Sequence, residues 1–245
     1  MSGLVIVLAG LCSAILGWAL LRRSGSGWRI GRLLSAAPQH SLPEAAAMAD
    51  RGQKAYIRLH GRIDSDEEFP GDDAKPIVFR RRRLQRQVRQ GLRRSGWQTF
   101  EDERLAVPFS LSERGERVLI DVDALGDGLV VVPRISTGVA ADLWPEAASG
   151  PLPDMPPETP VALRLEQVSA IDHGTVCGVP RLTASGQTIL GPGLGRPLIL
   201  TTLDLDEAMR VLGSERRSSL LAAAGLLVLA PVVVAVGLSM IALGR

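Results

Sequence analysis

The sequence predicts a mainly β domain, a compact multi-stranded sandwich or barrel, with short helices, inserted between two transmembrane α-helices. Two apolar runs, residues 4–21 and 220–243, lie near the two ends of the chain, and neither contains a charged side chain. About 20 apolar residues suffice to cross a hydrocarbon core of roughly 30 Å, because a helix rises about 1.5 Å per residue and satisfies its own backbone. Between the runs, short aliphatic and β-branched stretches recur with Gly and Pro separating them, the spacing of a sandwich or barrel. Residues 55–62 alternate with period two: Ala55, Ile57, Leu59 and Gly61 fall on one side and Tyr56, Arg58, His60 and Arg62 on the other. A half-buried strand requires that alternation.

Taken in order, the first run has no basic residue before it and Arg22-Arg23 after it. A signal peptide carries its charge before the apolar stretch, so an uncleaved helix is expected rather than a leader. Arg22, Arg23, Arg29 and Arg32 follow the first run, and Arg210, Arg216 and Arg217 precede the second. By the positive-inside rule the middle of the chain faces the cytoplasm. A membrane-proximal connector occupies 22–54, with a short helix over 42–49. The β-rich domain is expected over 55–213. It begins with the strand just described, and an acidic loop follows over 64–73. Pro76-Ile77-Val78-Phe79 then runs into an arginine-rich stretch, Gly91 and Ser95-Gly96 signal a turn, and 97–109 returns as the second arm of a hairpin.

Further strands are expected at 117–122, 128–133, 161–168, 175–179 and 197–203. The proline-rich stretch 145–160 reads as an exposed loop or lid. Asp204 can cap a short helix over 204–212, with Asp206 and Glu207 in its first turn. Pro231 should kink the second apolar helix. Gly10 with Ala14 and Ser13 with Gly17 form small-xxx-small pairs, and Ala230, Ala235, Gly237 and Ser239 offer a similar surface. Close helix approach follows, within one chain or between copies of a homo-oligomer.

The net charge of +2 is too small to imply a polyanionic partner for the whole chain, and nucleic acid is not expected. Cys12 lies in the first run and Cys177 in the middle domain, so no disulfide forms inside that domain. The conspicuous polar feature is the series Arg80, Arg81, Arg82, Arg83, Arg86, Arg89, Arg93 and Arg94, with no acid among them. Arg80, Arg81, Arg82, Arg83 and Arg86 are candidate contacts for an anionic surface, above all lipid headgroups. The competing reading pairs these arginines across the hairpin with Glu101, Asp102 and Glu103.

Catalytic and cofactor motifs are missing. His40, His60 and His173 stand singly, no Cys-x-x-Cys occurs, and Gly191-Pro192-Gly193-Leu194-Gly195 lacks the Lys-Ser/Thr of a phosphate loop. No cofactor and no metal are expected. Should the chain be a hydrolase, His173, Cys177 and Glu166 would be its best candidates.

A resemblance spans about residues 55–212. Ile57-Arg58-Leu59-His60-Gly61-Arg62-Ile63, then Pro76-Ile77-Val78-Phe79-Arg80, then Trp97, then Val107-Pro108-Phe109-Ser110-Leu111 precede Gly115 and Val118-Leu119-Ile120-Asp121. Leu165-Glu166-Gln167-Val168 and Val176-Cys177-Gly178 continue the series. This order resembles the BAM ("beside a membrane") or GIDE domain, which lies between two transmembrane helices in the mitochondrial ubiquitin ligases of the MULAN type. In those members the ligase activity resides in a zinc-binding RING after the second helix, and no Cys or His follows residue 220 here. The resemblance therefore implies a RING-less relative, with a ubiquitin-protein transferase label inherited from the family as the alternative. The expectation is a non-enzymatic adaptor or scaffold at a membrane surface, binding a protein partner or lipid headgroups.

Overall fold

The computed structural model describes residues 2–71, 75–90, 94–126, 128–143, 155–214 and 217–243. Within them it describes the side chains of all but 2–4, 20–26, 89–90, 94–95, 143, 214, 217–223 and 241–243. The turn expected at Gly91, Trp144 and most of the 145–160 loop lie outside the described residues.

The element order is α1 (Ser2–Ala36), α2 (Leu42–Asp50), β1 (Ile57–Asp64), β2 (Phe69–Pro70), β3 (Pro76–Gln90), β4 (Arg94–Ala106), β5 (Ser110–Glu113) and β6 (Glu116–Ile120). A 3-10 turn at Val122–Ala124 leads to β7 (Leu129–Val130), β8 (Arg134–Val139) and α3 (Ala140–Leu143). Then come β9 (Pro160–Ser169), β10 (His173–Leu182), β11 (Thr188–Gly191), β12 (Ile199–Thr201), α4 (Leu205–Ser214) and α5 (Arg217–Leu243). The middle of the chain is mainly β, as its spacing predicts. Two compact units result, one of residues 37–203 and one of 1–36 with 204–245.

The β unit holds two sheets. In the first, β1, β5, β6, β11 and β10 follow one another by hydrogen bonding, and β1 pairs again with β10, so the ring closes into a barrel. The closing register runs from Ile57 opposite Gly178 to Arg62 opposite His173. Burial along β1 alternates, and Ile57, Leu59 and Ile63 are fully buried. Gly178 is needed where the barrel wall is tightest, because a Cβ there would lie 2.7 Å from the Gly191 carbonyl oxygen and 2.9 Å from Leu190 Cγ. β5 and β6 form a hairpin whose two-residue loop, Arg114-Gly115, has φ of 52° and 90°. Positive φ at both positions is the type I′ geometry that follows the twist of the strands.

The second sheet is open. β3 lies at its centre, with β9 and then β8 on one side and β4 with the short β2 on the other. Both sheets share one core, in which Val78, Phe79, Val168 and Ala170 meet Ile57, Phe109, Leu111, Val176 and Leu190. Against it sits α2, whose Ser41 caps Glu44 and is capped by it, a reciprocal capping box.

In the helical unit, α1 continues well past its apolar run to Ala36, although 22–54 reads as a connector. The extension buries Gly27, Ile30, Gly31 and Leu34, and that burial outweighs the low helix propensity of its glycines. α4 packs on this part of α1: a Cβ on Gly31 would meet Met209 Sδ at 2.9 Å. α1 and α5 pack against each other within the chain, and a Cβ on Gly10 would lie 2.6 Å from Val234 Cγ2. The buried positions along this seam are Gly10 and Gly17 facing Ala230 and Gly237, each pair seven residues apart, the heptad spacing of a left-handed helix pair. Ala235 and Ser239 point outward instead. Pro231 lies within α5. Among the described residues no helix is long and apolar enough to cross a membrane.

Phe109 is 2% exposed and sits in the shared core, whereas Trp97 on β4 is 47% exposed. Phe109→Ala should therefore cost about 3 to 5 kcal/mol and Trp97→Ala less than about 1 kcal/mol. Melts of the two full-length variants in detergent check this; equal, small shifts would place Phe109 outside the core.

Candidate functional site

The arginine series occupies β3, and strand geometry divides it between two faces. Arg81 and Arg83 point to one face and Arg80 and Arg82 to the other, because successive side chains alternate. On the first face Arg81 makes a bidentate pair with Asp102 of β4, Nε to Oδ1 at 2.8 Å and Nη2 to Oδ2 at 2.7 Å. Arg83 donates to Glu166 of β9, and Arg164 Nε donates to the same carboxylate oxygen at 2.9 Å. Register explains the meeting: Arg81 stands opposite Glu166 and Arg83 opposite Arg164 on β9, so each carboxylate is reached along a short diagonal.

On the second face Arg82 bridges Glu101 at 3.2 Å and Glu103 at 2.9 Å. Arg80 stacks over the Phe69 ring at 5.7 Å. Arg86 Nη2 donates to Gln98 Oε1 at 3.4 Å. Among the described residues Arg80 and Arg86 have no carboxylate partner, while Arg81, Arg82 and Arg83 are committed to one or more. This is the cross-strand arrangement, extended by an acid on β9 that the hairpin alone does not contain.

Burial makes the first face the stiffer one. Arg81 is 7% exposed and Glu166 is 5% exposed, so both have left water and depend on their partners for compensation, Arg81 on Asp102 and Glu166 on Arg83 and Arg164. The Arg81 hydrogen bonds hold the Asp102 carboxyl below the usual carboxylate range, the guanidinium charges of Arg81, Arg104 and Arg83 adding to the effect against partial burial. Arg81 places two of its five N–H donors on Asp102, and its burial keeps the guanidinium from a phosphate in solvent.

The hydrolase candidates do not assemble. Cys177 is fully buried, and burial pushes its thiol up to about 12, which leaves no thiolate to act as a nucleophile. His173 and Cys177 stand opposite Arg62 and Arg58 of β1, four residues apart along β10, a separation of about 13 Å. Glu166 belongs to the other sheet, beneath Arg83 and Arg164. Instead His173 stacks on His60 of β1, with ring centroids 6.0 Å apart, and His60 Nδ1 lies 3.1 Å from Thr175 Oγ1. Nothing local in the sequence announces this pair, since it depends on the β1–β10 register. His40 lies against Glu44 of the α2 capping box at 3.2 Å. Among the described residues no group of three His, Cys, Asp or Glu side chains could hold a metal ion. Gly193 and Gly195 belong to a tight turn after β11, with φ of 56° at Leu194 and 68° at Gly195. No family model, curated protein or solved structure matches this chain.

The ion pairs predict a pH-dependent stability of definite sign. A carboxyl whose folded-state pKa is depressed stabilises the fold above its unfolded value, about pH 4, and that contribution fades as pH falls through the folded-state pKa. Near pH 7, Asp102→Asn should cost about 1.5 to 3 kcal/mol. Glu166→Gln, which strips two arginines of their carboxylate, should cost about 3 to 5 kcal/mol. Urea titrations from pH 7 downward check both: the gap between the Asp102→Asn variant and the parent should close in acid, and a gap that persists there refutes the assignment.

Proposed function

We propose that the chain is a membrane-anchored adaptor or scaffold, held in a bilayer by α1 and α5, whose GIDE-like β unit works at the membrane surface without chemistry of its own. The observation that carries this reading is the outward face of the α1–α5 pair. Val5, Leu8, Leu11, Ile15 and Leu16 on α1 and Val228, Leu229, Val232, Val236 and Leu238 on α5 are all about half exposed or more. A pair of helices that, among the described residues, buries Gly10, Gly17, Ala230 and Gly237 at its seam while turning most of its large aliphatic side chains outward suits lipid and not water. The apolar runs 4–21 and 220–243, uncharged throughout, supply the length.

The adaptor reading takes its support from the composition of the β unit. Its conspicuous arginines hold carboxylates across strands, and its one cysteine is inert, so a surface rather than a reaction centre is what it presents. The basic residues beside both runs orient that surface towards the cytoplasm. The partner is a protein or the headgroup layer itself.

Two measurements test this. The full chain should remain in the membrane pellet after alkaline carbonate extraction, and recovery in the supernatant refutes the spans. A reporter inserted at Gly186, in the exposed turn after β10, should be active in the cytoplasm, whereas protease added outside intact spheroplasts should leave the β unit uncut. Cleavage there would invert the orientation.

A further inference from the structure

Arg81, Arg82 and Arg83 are taken up by carboxylates, and a second group of arginines, in the helical unit, lies beside the apolar runs. α1 contains no acidic residue from Ser2 to Ala36, and its apolar run ends in Arg22 and Arg23. Beyond them Trp28, Arg29 and Arg32 are exposed, Trp28 at 68%, and the Arg32 guanidinium lies 5.2 Å from the centre of the Trp28 ring. Gly27, Ile30, Gly31 and Leu34 form the opposite, buried stripe of the same turns, turned towards α4. Because Met209 packs on Gly31 and α4 runs antiparallel to α1, the exposed Arg210 stands within about one helical turn of Arg29 and Arg32 along the axis. Among the described residues Arg29, Arg32 and Arg210 enter no ion pair. The acids of α4, Asp206 and Glu207, lie in its first turn, one turn before Arg210 and farther from α5.

We propose that Arg29, Arg32 and Arg210, with Trp28, form a collar that holds the headgroups of anionic phospholipids; the proposal rests on the span reading above. Helix geometry puts Arg29 and Arg32 about 12 and 16 Å along the axis from Leu21, beyond the roughly 5–7 Å headgroup layer but within about one Debye length of it, where a long side chain reaches back towards the phosphates. Side chains on a helix lean towards its N-terminus, which for α1 is the direction of the bilayer, so the guanidinium groups of Arg29 and Arg32 descend towards the phosphates. Trp28 supplies the flat amphipathic surface that favours the same layer. Arginine suits the task because its planar fork matches two phosphate oxygens.

The test uses the full chain reconstituted in phosphatidylcholine vesicles containing phosphatidylglycerol. One version keeps Trp28 as its only tryptophan (Trp18→Phe, Trp97→Phe, Trp144→Phe) and another keeps Trp18 (Trp28→Phe, Trp97→Phe, Trp144→Phe). Energy transfer from Trp28 to acyl-pyrene phosphatidylglycerol should reach a given level at about a fifth of the mole fraction needed with acyl-pyrene phosphatidylcholine. The preference should weaken with salt, vanish when Arg29, Arg32 and Arg210 are all changed to Gln, and survive their change to Lys. Quenching of Trp18 by brominated acyl chains should be the same in all versions. Equal transfer to the two lipids with Trp18 quenched overturns the collar and leaves the spans standing. A preference that survives the Gln variant assigns the headgroups to other residues and overturns the proposal as stated. Unquenched Trp18 overturns the spans, and the collar with them.

Discussion

The pairing of β1 with β10 is the contact on which the rest of the β unit depends. It closes the barrel, with Ile57, Leu59 and Val176 brought face to face inside it. It also fixes the second sheet, because β10 is the direct continuation of β9 through residues 170–172, where Ile63 N donates to the Asp172 carbonyl at 2.9 Å. With β9 fixed, β3 has a partner along most of its length, and with β3 fixed, β4 and β2 follow. Parallel contacts, β11 with β6 and β12 with β7, then join segments that no hairpin could join.

Inside that frame the arginine lattice is a solution to a problem of the sequence's own making. A long strand that passes between two others must bring its side chains out of water on both faces, and β3 does so with consecutive arginines. Each buried cation costs several kcal/mol unless a carboxylate meets it in good geometry. Asp102, Glu101 and Glu103 answer from one neighbouring strand and Glu166 from the other. The net gain in stability from such a lattice is small, but the register it enforces is strict: a slip of one residue on β3 would exchange its two faces and take Arg81 from Asp102 and Arg83 from Glu166.

What was legible in the sequence follows the range of the forces involved. The alternation in β1, the β3–β4 hairpin, the α2 helix behind Ser41 and the α4 helix behind Asp204 are set by neighbours in the chain, and they could be read. β5 was not separated from the strand before it, because the Val107-Pro108 break looked like part of one returning arm and Arg114-Gly115 was not taken as a type I′ turn. β8 and β11 were missed: the first is an edge strand with a mostly exposed, polar surface, and the second is only four residues long between glycines. The arginine partners on β4 were within reach of the hairpin, but Glu166, some eighty residues away, was invisible until β9 had a place. The His60–His173 stack is the same kind of long-range consequence. Composition alone made the helical ends plain, yet not that α1 would continue through Gly25 and Gly27, since that rests on packing by α4.

The seam between α1 and α5 has an effect on the β unit that involves no contact with it. Gly10 lies against Val234, so positions near the two ends of the chain are held together. Everything between them is a closed loop. When the β unit unfolds with the helix pair intact, its chain is released as a ring fastened at one point, with far fewer conformations than a free polymer of equal length. For a loop of residues 37–203 that restriction corresponds to about 5 kcal/mol, the magnitude of a disulfide closing the same span. A non-covalent clasp of glycines and alanines thus acts as a cross-link that needs no oxidising compartment. The same β unit, cut free of its helices, would carry all its native contacts and still be the less stable molecule.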